Sequence, residues 1–165
     1  MSALTDTDLR IVGMRIPSGA MRGLKGELAP IDNGPIVEMD DFSLRDQTSP
    51  AGRKFEGTIT SEDVHMPPVF GLWKGSILTI DFPLIIEEPV EIAQIRPAAP
   101  GSLFYIDEAD AMEVPAPDAP NRGNYPEAAF RCYRPRMTMM LMEPWKLSFD
   151  EWGATVGVTM KLREV

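Results

Sequence analysis

The chain has a single cysteine, Cys132, a single histidine, His65, and no apolar run near the ~20 residues that a membrane helix needs. One cysteine excludes an internal disulfide and is read as a small buried hydrophobe. With one histidine beside it, the three or four soft ligands of a zinc site are out of reach. Any Ser-His-Asp or Cys-His arrangement would have to use His65, and no GxSxG elbow, phosphate-binding glycine loop or GxGxxG stretch accompanies it. Positive charge is short as well. Sixteen Lys and Arg stand against 25 Asp and Glu, a net charge of −9, and the basic residues are mostly scattered. A nucleic-acid groove needs them clustered, so DNA would pass such a surface without specific binding. The opening MSALTDTDLR has neither the basic start nor the apolar stretch of a signal peptide, so synthesis in the cytoplasm without membrane insertion is expected. Helical periodicity and internal repeats are also lacking.

What is present is alternation, most clearly in the last third. Val156, Val158, Met160 and Leu162 are separated by single residues that are small, polar or charged, which predicts a strand with one buried face. Trp145, Leu147 and Phe149 alternate in the same way and read as its hairpin partner, with Trp145 in the core. Between them Asp150-Glu151-Trp152-Gly153 reads as the loop, Gly153 supplying a positive φ. Met137, Met139 and Leu141 predict a third, central strand, set off by Pro144.

Upstream, strands are expected over 9–16, 36–42, 54–60 and 76–82, with an edge strand over 84–92 interrupted at Pro89. Residues 43–53 and 61–75 read as loops. Residues 17–35 carry glycine at 19, 23, 26 and 34, and read as a long, mobile hairpin or arm in which a strand from 21 to 28 would be weak. Residues 94–126 read as a loop-rich insertion with a strand at 103–106 and one helical turn over 108–113. The sixteen prolines and thirteen glycines favour short strands and many loops. The expected fold is therefore all-β: one domain over 1–165, a sandwich or barrel with long Gly/Pro-rich loops and an extended arm.

Chemistry is sparse. Asp40-Asp41, Glu62-Asp63, Glu87-Glu88 and the group Asp107, Glu108 and Asp110 offer carboxylates for glycoside hydrolysis or calcium, without the EF-hand pattern. They are expected to be solvated surface, as are Arg131, Arg134 and Arg136 around Tyr133. No catalytic, cofactor or metal residue is assigned. Trp73 and Trp152 cap the core or meet a partner. Stacking on sugar rings is the alternative use of the same side chains.

The tail YRPRMTMMLMEPWKLSFDEWGATVGVTMKLREV resembles the C-terminal end of small virion-associated proteins of tailed bacteriophages, in which a YRP-x-L/M-x-M strand precedes a DEWGA-x-V-x-W-x-L-x-L-x-E hairpin. The segment around Ala20-Met21-Arg22-Gly23-Leu24, the run FEGTITS and the stretch Leu72-Trp73-Lys74-Gly75 fit the same pattern. Val158 stands where the pattern has tryptophan, and Lys74 where proline is commoner. The resemblance implies a non-enzymatic component of the virion, in the tail as tube, tube initiator or baseplate. It would form a ring with copies of itself and meet other tail proteins. The residues it marks for partner contact are Met21, Arg22, Leu24, Trp73 and Trp152. A glycan-binding module at the tail tip, or a small hydrolase using His65 or an acidic pair, are the alternatives.

Overall fold

The computed structural model describes residues 9–31, 34–47, 53–107, 113–115 and 128–165. Among them every regular element is a strand and none is a helix, so the fold is all-β. The chain divides into two compact units, one built from Ile16–Leu78 and Met139–Val165, the other from Thr79–Thr138 with the segment before Ile16.

The first unit is assembled on its last strand, β13 (Thr155–Glu164). Its ten residues are long enough to serve three partners. One side pairs antiparallel with β5 (Phe55–Asp63), from Val156↔Asp63 to Arg163↔Glu56. The other side pairs first with β12 (Lys146–Asp150), then with β11 (Arg136–Leu141). β2 (Lys25–Pro30) adds to the far edge of β5. Register sets which side chains share a face, because directly opposed residues point the same way. Met160 lies opposite Ile59, and Val158 opposite Ser61, and all four are buried with Leu162. Val156, predicted to join them, is half-buried because it lies towards the turn end of the hairpin.

Three expectations fail here for local reasons. The hairpin loop is Glu151–Ala154, and its positive φ is at Ala154 (50°) rather than at Gly153. The Asp150 carboxylate folds back over the turn, accepting from Trp152 N at 3.0 Å, and it takes the space a Cβ on Gly153 would need (2.6 Å from Oδ2). Secondly, residues 17–35 are not a free arm. Ala20 and Met21 are buried, and β2 zips onto β5 from Lys25↔Thr60 to Pro30↔Phe55. Close approach takes the place of flexibility: a Cβ on Gly23 would lie 3.0 Å from the carbonyl of Glu62, and on the facing strand the carbonyl of Glu27 lies where a side chain on Gly57 would begin. Thirdly, 36–42 is not one strand followed by a polar turn. β3 (Ile36–Glu38) and β4 (Leu44–Asp46) form a separate two-stranded hairpin, from Ile36↔Asp46 to Glu38↔Leu44.

In the second unit β1 (Arg10–Ile11) pairs with β6 (Ile77–Asp81) through Arg10↔Asp81 and Ile11↔Ile80. The strand expected over 9–16 ends after two residues. Gly13 at φ +83° turns the chain, and Met14 N donates to Ile11 O at 3.1 Å. A four-stranded sheet runs in the order β7 (Ile86–Pro89), β10 (Ala128–Tyr133), β8 (Phe104–Asp107), β9 (Glu113–Pro115). β7 is at its edge, where a proline costs least. The loop-rich 94–126 stretch thus supplies β8 and β9. The helical turn expected over 108–113 falls outside the described residues except for Glu113, which is in β9.

Candidate interaction surfaces

Several of the charged groups that looked available are used internally. Asp63, with 5% of its side chain exposed, receives the guanidinium of Arg22 at 2.7 Å, and the backbone N–H groups of Arg22 (2.8 Å) and Val64 (2.7 Å). These donors, the guanidinium first, hold the Asp63 carboxyl far below the usual carboxylate range against the opposing effect of burial. In the second unit Arg136 makes two bonds to Asp81, at 2.6 and 2.9 Å, and the buried carboxylate keeps the guanidinium charged to still higher pH. Arg131 pairs with buried Glu88 at 3.1 Å and also donates to the carbonyl of Ile92. Tyr133, fully buried, donates its hydroxyl to Glu88 at 2.7 Å. Burial first, and then the Glu88 carboxylate, push that hydroxyl up to about 12. The expectation of solvated carboxylates and a solvated arginine face is therefore wrong for Asp63, Glu88, Arg131 and Arg136. Glu88 and Arg131, and Asp81 and Arg136, sit on neighbouring strands, and Asp63 meets Arg22 in the turn before β2, pairings that sequence order hides.

His65 is exposed. Its backbone N–H donates to Gly19 O at 2.9 Å, and its ring is the nearest group to Gly19. Its chain neighbours Glu62 and Asp63 are engaged elsewhere: Glu62 accepts from Thr155 Oγ1 at 3.0 Å and Asp63 is tied to Arg22. Among the described residues no group of three or more His, Cys, Asp or Glu side chains is placed to hold a metal ion.

Apolar side chains are what the surface does offer, and in the first unit they gather in three places. The first is aromatic. Phe70 meets Trp145 edge to face, with ring centroids 5.4 Å apart, and Trp145 Nε1 donates to Leu72 O at 2.9 Å. Trp73, next in the chain, is 76% exposed, its backbone N–H held by Ser76 Oγ at 2.9 Å. Trp145 is thus half-buried beneath a loop, and its neighbours Phe70 and Trp73 face solvent. Lys74 and Lys146 directly follow Trp73 and Trp145 in the chain, and Lys161 lies 3.0 Å from Glu143. Together they lower the Glu143 carboxyl, the Lys161 hydrogen bond acting most strongly.

The second is the turn end of the β12–β13 hairpin. Leu147↔Val158 and Phe149↔Val156 put Leu147 and Phe149 on the core face, yet both remain exposed, as does Trp152 at the tip (98%). The third is the β3–β4 hairpin, where Ile36, Phe42 and Leu44 are all exposed. Phe42 takes φ +61°, a conformation rare for so bulky a residue. It is held there by Phe42 N to Met39 O at 2.9 Å, Met39 N to Ser43 O at 2.8 Å, and Ser43 N and Oγ on the Asp41 carboxylate.

Of the residues marked for partner contact, Trp73 and Trp152 are exposed. Leu24 is half-buried, and Arg22 is half-exposed but bound to Asp63. Met21, expected at a partner surface, is instead buried in the core of this chain at 1% exposure. Sequence reading missed Phe42, Phe70 and Phe149. Phe149 followed the alternation that normally signals burial, and nothing in order alone showed where the covering layer stops. Comparison of the chain with known families, curated proteins and solved structures gives no match.

Proposed function

We propose that the chain is a non-enzymatic structural component of a tailed-bacteriophage virion, placed in the tail as tube, tube initiator or baseplate. There it assembles with copies of itself and with other tail proteins. One observation carries the assembly part of this reading: large aromatic side chains on two ordered hairpins and one loop of a single compact unit are left in solvent. Apolar surface gathered in this way marks a site of protein contact. The resemblance of the C-terminal hairpin to virion-associated tail proteins supplies the phage context. An acidic chain, at net −9, also suits a particle whose DNA must pass without sticking.

The exposed Trp73 and Trp152 support a second reading, a glycan-binding module at the tail tip, since both present ring faces for stacking on sugars. Purified particles separate the two. In the assembly reading, mass spectrometry finds the chain in many copies, and electron microscopy with a labelled chain places it within the tail. Its absence from purified particles, or full infectivity after its gene is deleted, would reject both.

A further inference from the structure

The β3–β4 hairpin has no sheet to lean on. It is a two-stranded ribbon of three residues per strand, closed at its base by Gln47 N to Pro35 O at 3.2 Å. Ribbons of this size are marginal in water unless something packs on them. Its exposed large apolar residues are Ile36, Met39, Phe42 and Leu44, and its tip carries Glu38, Asp40 and Asp41 against the single basic Arg45 of β4. It is an apolar finger with an acidic collar.

The Phe70–Trp73–Trp145 patch is its complement in both respects. It offers an aromatic surface widened by exposed Ile77, and Lys74 and Lys146 directly follow its two tryptophans in the chain. Within one copy the two do not cover each other, since Phe42 is 85% and Trp73 76% exposed.

We infer that these two surfaces bind one another between copies: the β3–β4 finger of one chain seats Phe42 on the Phe70–Trp73 patch of the next, with Glu38 and Asp40 facing Lys74 and Lys146. The two faces differ, so the contact is head-to-tail, and repetition closes a ring or extends a filament according to the rotation per copy. It rests on the assembly reading above only in supplying that assembly with a contact.

Two charge reversals test it. Glu38→Lys with Asp40→Lys makes the finger basic and leaves Asp41, which ties the turn, intact. Lys74→Glu with Lys146→Glu makes the patch acidic. All four positions are exposed, and unchanged circular dichroism and melting confirm folding. Sedimentation velocity of the purified chain, from about 1 µM to about 1 mM where weak specific contacts form, reads the association. The unmodified chain should self-associate, and each reversed chain alone should do so ~tenfold or more weakly, because like charges now meet. Mixing the two reversed chains should restore association, since each finger then finds a patch of opposite sign. A monomeric unmodified chain, reversals without effect, or a mixture that stays monomeric would overturn the inference. None of these results depends on whether the chain is found in virions, so the two readings can fail separately.

Discussion

Replacing Arg22 with alanine tests whether this residue is an internal clamp or a surface contact. Asp63 has 5% of its side chain exposed, and the guanidinium supplies bonds of 2.7 to 3.1 Å to its two oxygens. Without it the carboxylate keeps only the backbone N–H groups of residues 22 and 64. Breaking a fully buried pair costs about 3–5 kcal/mol, because a charge is left behind without its partner. Arg22 itself is 48% exposed, so water can enter where the guanidinium was, and the expected loss is about 2–3 kcal/mol. Asp63→Asn should cost less, since the half-exposed Arg22 can turn to solvent.

The pH dependence has a definite sign. The folded Asp63 carboxyl is depressed below its unfolded value, so its contribution is present above about pH 4 and is lost as pH falls below it towards the folded value. The penalty of Arg22→Ala should therefore be largest near neutrality and shrink to under ~1 kcal/mol at about pH 3, where the stranded carboxyl protonates. Urea unfolding followed by tryptophan fluorescence suits the measurement, because Trp73, Trp145 and Trp152 all lie in the first unit with Arg22. A loss below ~0.5 kcal/mol at pH 7, or an equal loss at both pH values, would show that the pair does not hold Asp63 and return Arg22 to the candidates for partner contact.

Three further outcomes are expected. Gly57→Val should destabilise by about 1–3 kcal/mol and expose β2 amides to hydrogen exchange, since a side chain there meets the Glu27 carbonyl; unchanged protection of Lys25–Leu28 would contradict this. Trp152→Ala should leave stability within ~0.5 kcal/mol, as a residue 98% exposed has little packing to lose; a shift above 1 kcal/mol in thermal unfolding would mean that it caps the core. Tyr133 should stay protonated up to about pH 12, and because its folded pKa is raised, its contribution to stability is full below about pH 10 and declines as pH rises through 12; ultraviolet titration showing every tyrosine ionised near 10 in the folded protein would refute the bond to Glu88.

The period-two pattern in Thr155–Glu164 identified the strand, and its register with β5 accounts for the burial of Val158, Met160 and Leu162. Alternation is local and records which face a residue takes, so it was legible. It does not record what lies over that face, and Leu147 and Phe149 follow the same rule while staying in solvent. Glycine was ambiguous for a related reason. Gly23 looks like flexibility in isolation, and only the folded chain shows that a side chain there would press on the carbonyl of Glu62, 3.0 Å away. The ion pairs were hidden by distance along the chain: Arg22 with Asp63, Asp81 with Arg136 and Glu88 with Arg131 are 41, 55 and 43 residues apart. The aromatic patch was half-legible. Trp73 stood out by type, but its company with Phe70 and Trp145 depends on a loop whose path no periodicity describes.

The turn end of the β12–β13 hairpin bears on the proposed assembly. Its outward face continues the core: Leu147 and Phe149 lie beside Val158 and Val156 in the same row as Met160. A sheet face normally ends where its cover ends, and here it runs about two residue pairs further. Among the described residues β12 pairs only with β13, so its other edge is open along the same stretch, the arrangement most prone to unspecific pairing. Lys146, Asp150 and Glu151 bracket that row with charge of both signs, so another strand can join only where its own charges match. The free chain thus keeps an apolar face and an open strand edge together while limiting what can add to either.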